Sequence, residues 1–137
     1  MLKLTDDERS IIIIMTEETV KGFIRSYSEL KARRDVIDKI RKYSHNESIN
    51  EDQEYSQLVI KIQIIESALE LLTEDERKIL YLHLIDNVKW SEVKSIYEQK
   101  VGTEFNYSER TFMRIQKNAL KKIETFISKN KFEQYIE

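Results

Sequence analysis

Apolar residues recur at three- and four-residue steps through most of this chain, the spacing that gathers them on one side of an α-helix. Val20, Phe23, Tyr27, Leu30, Ile37 and Ile40 predict one helix from Thr16 to about Tyr43, with Glu17 and Glu18 where the helix dipole favours acids. A shorter helix is expected before it, opened by the capping box Thr5-Asp6-Asp7-Glu8 and including Ile11 to Ile14. The polar run Ser44 to Asn50 breaks the pattern. Tyr55, Leu58, Ile62, Ile65, Leu69 and Leu72 then form the most regular repeat, the a/d pattern of a bundle seam. That seam suits packing against residues 20–40 and a dimer interface equally well.

A second capping box, Thr73-Glu74-Asp75-Glu76, predicts a helix over Glu74 to Ile85 carrying Ile79, Leu82 and Ile85. Asp86-Asn87 supplies a turn, and Ser91 is the expected cap of a helix from Glu92 to about Lys100. Gly102 follows in the place of a left-handed helix terminator. Ser108 is a good N-cap for a last helix running to about Ser128, with Tyr107 able to pack on Phe112 as a hydrophobic staple. Phe112, Ile115, Trp90 and Ile79 are the expected core of this half.

Composition narrows the fold class. The 137 residues include no proline, no cysteine and two glycines, where average usage would supply roughly 7 prolines and roughly 10 glycines. Sandwiches and barrels draw heavily on those turn residues, so the expectation is an all-α protein. Absence of cysteine removes disulfides, thiolate nucleophiles and cysteine-ligated zinc. The longest unbroken apolar run, Ile11 to Met15, is far short of a membrane span. No basic stretch leading into an apolar region opens the chain, so a cytoplasmic protein is expected.

The net charge of −2 hides an asymmetry. Residues 1–86 hold 13 Lys/Arg against 18 Asp/Glu, whereas residues 87–131 hold 10 against 5. On a helical wheel of residues 109–127, Arg110, Arg114, Lys117 and Lys121 fall opposite the apolar face formed by Phe112, Ile115, Ala119, Ile123 and Phe126. They make a row about 16 Å long at roughly 1.5 Å per residue, a length suited to a helix in a DNA major groove. A solvated helix face is the plain alternative, but Glu109 is the one counter-charge read near the start of this row. Residues 21–42 are basic, while residues 47–76 hold nine carboxylates opposed only by Lys61. Pairing within a bundle accounts for both, and dimerisation or a polymerase contact is the alternative.

Catalytic chemistry finds little support. His45 and His83 are the only histidines, and Asp86 three residues beyond His83 makes at most half of a metal site. No phosphate-binding glycine loop or nucleophile elbow is present. The expectation is a non-enzyme without metal or cofactor.

The run Ala68-Leu69-Glu70-Leu71-Leu72-Thr73-Glu74-Asp75-Glu76-Arg77-Lys78-Ile79-Leu80 resembles the opening of sigma-factor region 4. So do Trp90-Ser91-Glu92-Val93, Tyr107-Ser108-Glu109-Arg110-Thr111-Phe112 and Ala119-Leu120-Lys121-Lys122-Ile123. Upstream, Glu18 to Leu30 resembles the N-terminal signature of ArpU-type phage late transcriptional regulators. The resemblance spans about residues 16–125. It implies a helical N-terminal region over 1–50, a connecting amphipathic helix over 51–72 and a sigma region 4-like helix-turn-helix over 73–130. It further implies a regulator, in a bacterial host cell, of phage or phage-related late genes, binding double-stranded DNA with helix 109–127.

On that basis Arg110 and Arg114 are expected at base edges, Glu109 and Thr111 add selectivity, Asn118 reads adenine from the flank, and Ser108, Lys117 and Lys121 meet phosphates. RNA polymerase or another regulatory protein, and a second copy of the chain, are further candidate partners. A helical adaptor or antagonist engaging such proteins is the rival class. One departure stands out: Ser91 and Ser108 lie 17 residues apart, several more than the family's module has between its two caps.

Overall fold

Thr16 opens α1 (Glu17–Arg25): its hydroxyl accepts the Thr19 N–H at 3.2 Å, as the sequence leads one to expect. The computed structural model describes residues 16–44, 51–101 and 107–136, so the expected helix at residues 5–14, the break at residues 45–50 and Gly102 lie outside the described residues. Every described element is helical, and no strand occurs among the described residues. The fold is all-α.

The single helix expected over 16–43 is two. Ser26 separates α1 from α2 (Tyr27–Ser44), with its hydroxyl bonded to the Phe23 carbonyl and its N–H shared between the Gly22 and Phe23 carbonyls. A serine side chain competing for a main-chain acceptor in this way bends a helix. Tyr27 and Leu30 pack into the core, but beyond them Val36, Ile40 and Tyr43 are 54%, 52% and 79% exposed. Ile40, expected on the packed face, points outward because thirteen residues at about 100° each turn it well away from Tyr27, and the inner face is completed by half-buried Arg34, Ile37 and Arg41.

α3 (Glu51–Glu70) runs antiparallel to α2, as Arg41 over the Tyr55 ring at 4.3 Å and Tyr27 beside Glu66 require. Its seam residues Leu58, Ile62, Ile65 and Leu69, with Leu72 just beyond the helix, are buried within the chain. The seam thus packs intramolecularly. One core joins Val20, Phe23 and Ile24 of α1 to the α3 seam, to Leu80 and Leu84, and to Ala119, Leu120, Ile123 and Ile127 of the last helix.

α4 (Glu74–Leu80) carries the complete Thr73/Glu76 capping box and continues into one π-helical turn, Tyr81–Ile85. The Asp86 N–H reaches the Tyr81 carbonyl at 2.9 Å, and the Val88 N–H reaches Leu82 at 2.9 Å. Leu84, one turn beyond buried Leu80, is buried in the main core, while Leu82 is half-buried. Asn87 reverses the chain at φ 56°, a left-handed conformation that asparagine tolerates.

α5 is Trp90–Val101. It starts earlier than expected: the Lys89 carbonyl accepts from Glu92 at 3.0 Å and from Val93 at 2.9 Å, so Ser91 sits inside the first turn and is not its cap. α6 is Glu109–Lys129. It ends on left-handed Lys131, with Phe132 N–H bonded to Ile127 O at 2.9 Å and Lys131 N–H to Ser128 O at 3.2 Å. The chain then turns back through a 3-10 turn, Glu133–Tyr135, and Ile136 is buried in the main core. Among the described residues no helix is long and apolar enough to cross a membrane.

Candidate nucleic-acid interface

The start of α6 is built as its sequence predicts. Ser108 is extended at φ −72° and ψ 161°, and its oxygen accepts the Thr111 N–H at 3.3 Å. Ser108 and Thr111 also share a hydroxyl–hydroxyl bond at 3.1 Å, which leaves one of the two hydroxyl protons to donate elsewhere. Tyr107 lies edge-on to Phe112 with ring centroids 5.9 Å apart, the expected staple. Tyr97 of α5 completes an aromatic cluster, 5.4 Å from Phe112 and 5.8 Å from Tyr107. With Ile79 it forms a small second core that holds α4, α5 and α6 together. Phe112 and Ile79 are buried as expected, whereas Ile115 and Trp90 are half-buried at its edge.

Opposite that core, Arg110, Arg114, Lys117 and Lys121 are all exposed, as are Ser108, Glu109 and Asn118, while Thr111 is half-buried. None of the four cations makes a side-chain hydrogen bond or ion pair among the described residues. Some cations elsewhere are paired, Lys21 with Glu18 at 3.3 Å, Lys78 with Glu74 at 3.1 Å and Arg33 with Glu54, while others such as Lys39, Lys89 and Lys94 also make no such bond among the described residues; what sets the α6 cations apart is their alignment in one row. At 100° per residue Glu124 also falls on the cationic side, half-buried at its far end, so the uninterrupted row runs from Arg110 to Lys121. Sequence reasoning passed over that residue.

Three contacts that sequence reasoning missed fix the helices beneath this row. Lys122 reaches Glu76 of α4 at 2.7 Å. Burial opposes the Glu76 charge, but hydrogen bonds from Lys122 and Thr73 outweigh it and hold the carboxyl below the usual range. The Tyr97 hydroxyl donates to Asp75 at 2.6 Å, tying α5 to the first turn of α4; burial and the Asp75 charge push the phenol far above its ordinary value. His83 stacks on Trp90 at 3.7 Å and 17°, with Nδ1 3.0 Å from the Val88 carbonyl. A carbonyl only accepts, so Nδ1 carries the proton. Burial, with Arg25 and Lys21 nearby, lowers the His83 pKa against the opposing effect of the Val88 bond. His83 thus serves as a neutral brace across the α4–α5 turn, and His45 lies outside the described residues.

The long interval between Ser91 and Ser108 is partly helix, since α5 continues to Val101. No family model, curated protein or solved structure matches this chain.

Proposed function

We propose that this chain is a sequence-specific double-stranded DNA-binding regulator of transcription, with α4, α5 and α6 serving as a sigma region 4-like helix-turn-helix. In this reading α5 braces against the duplex and α6 enters the major groove by its N-terminal turns. The observation that carries it is the row Arg110, Arg114, Lys117 and Lys121: four exposed cations without partners among the described residues, on a helix whose other side is core. Ion-paired faces confer solubility; an unpaired row of one sign on a rigid helix is an electrostatic footprint for a polyanion.

Arg110 and Arg114, nearest the helix start, are assigned to base edges, where a guanidinium can bond guanine with two hydrogen bonds. Glu109, Thr111 and Asn118 lie beside them and add selectivity. Ser108, Lys117 and Lys121 are assigned to phosphates, Ser108 through the spare proton it shares with Thr111 and the free N–H groups of the first turn. Late genes of a phage or related element are the proposed targets, on the strength of the resemblance of residues 18–30 alone.

Charge reversal at Arg114 or Lys117 is expected to abolish retention of duplex DNA in a gel shift while circular dichroism stays helical. Unchanged retention in both variants would remove this face from the mechanism. A second reading, a non-catalytic adaptor or antagonist, draws on the outward row Val36, Ile40 and Tyr43 of α2. It requires duplex binding to be absent and a protein partner to bind tightly.

A further inference from the structure

Two adjacent lysines on α6 stand in opposite circumstances. Both are exposed, but Lys121 has no side-chain partner among the described residues, whereas Lys122, about 100° round the helix and 48% exposed, reaches Glu76 at 2.7 Å. Glu76 is no ordinary surface acid. Its side chain is 9% exposed, and the oxygen that receives Lys122 also accepts the Thr73 N–H at 2.9 Å. The Thr73 hydroxyl in turn accepts the Glu76 N–H at 3.2 Å. The next residue, Arg77, donates Nε to the Leu69 carbonyl at 3.0 Å and Nη2 to Leu72 at 3.3 Å. α6 is thereby tied through α4 to the end of α3, by a contact 46 residues apart in sequence.

We propose that Lys122 is a positioning residue: its bond to Glu76 sets the roll of α6 about its own axis and so aims Arg110, Arg114, Lys117 and Lys121. The proposal rests on the DNA-binding reading for its consequence, not for its geometry. At the outer radius of a helix, about 5–6 Å, a roll of about 10° carries a side-chain tip about 1 Å. Bidentate base recognition tolerates about 0.5 Å, while attraction between a cation and a phosphate falls off gently. Loss of the latch therefore weakens discrimination between sequences and leaves general affinity for duplex DNA nearly intact.

Two measurements decide this. The chain has no cysteine, so spin labels at Met113→Cys and Glu66→Cys, both exposed sites, report the distance between α6 and α3 with no DNA present. Lys122→Met and Glu76→Gln should each shift or broaden that distribution, the double variant should go no further than either single one, and Lys122→Arg should keep the parental distribution. With a duplex obtained by binding-site selection and a scrambled control, Lys122→Met should lower discrimination at least tenfold without changing the salt dependence. A distribution unchanged by Lys122→Met overturns the proposal. So does a salt slope reduced by about 0.9 with discrimination intact, which would make Lys122 one more phosphate contact. If the parent protein binds no duplex at all, the functional reading fails, and the label distances still decide the latch.

Discussion

Arg77 offers a prediction whose size follows from geometry. The last carbonyls of a helix lack i+4 partners, and at and just beyond the end of α3 Arg77 adds to their bonding: Nε donates at 3.0 Å to the Leu69 carbonyl, which also accepts the Leu72 N–H at 3.2 Å, and Nη2 lies 3.3 Å from the Leu72 carbonyl and 3.5 Å from that of Glu70. The last of these is at the limit of a hydrogen bond and counts for little. Two bonds with a charged donor would be worth about 3–6 kcal/mol if fully buried. Arg77 as a whole is exposed, so water replaces much of what is lost, and Arg77→Met should cost about 2 kcal/mol. For a domain between the usual size classes, that corresponds to a drop in Tm of roughly 8 °C. Arg77→Lys should recover less than half, because an ammonium cannot present a planar fork to two carbonyls. Thermal unfolding followed by circular dichroism, at one pH and salt concentration, measures both variants. A fall of under 1 °C in Arg77→Met, or full recovery by lysine, would refute the role given to the guanidinium fork.

Two further outcomes follow from the packing and titration of the same region. Ile79 is fully buried between α4, α5 and α6, so Ile79→Ala should cost about 2–5 kcal/mol in denaturant unfolding; a loss below 1 kcal/mol would mean the small core does not hold these helices. His83 has a folded pKa below its ordinary value, so its contribution is fully present above pH 6.5 and declines as pH falls from there towards the lower folded value. His83→Phe, which keeps a ring against Trp90 but cannot protonate, should flatten the stability change between pH 7.5 and pH 5, and an identical acid decline in both proteins would contradict the brace.

What could be read from the sequence was local. Thr16, Thr73 and Ser108 cap helices because a cap needs only a side-chain oxygen and the N–H groups two or three residues on, all within one short string. The α3 seam was legible for the same reason, its period being visible without a partner. Ser26 and the π-helical turn are not legible because each is a local change of hydrogen bonding that leaves the helical repeat of apolar residues nearly intact. Ser91 looked like a cap by type, but the Lys89 carbonyl accepts the first helical N–H groups and starts α5 earlier. Glu76 could be read as the capping-box partner of Thr73, and Arg77 only as part of a family-like string. Their physical roles, one holding Lys122 and the other the end of α3, join residues up to 46 apart, and no local pattern encodes such a meeting. The cationic row was legible as a row; that its members stay unpaired while Lys122 does not could only come from three dimensions.

The central claim is that the Arg110–Lys121 row binds the phosphate-rich surface of duplex DNA. The most direct measurement is the affinity of the full chain for a duplex taken from random-sequence selection, followed across about 50–200 mM salt. The two lysine–phosphate contacts predict a log–log slope of roughly −2 per subunit, with each charge-neutralising change at Lys117 or Lys121 reducing its magnitude by about 0.9. A flat response, or a slope indifferent to those lysines, would contradict the account.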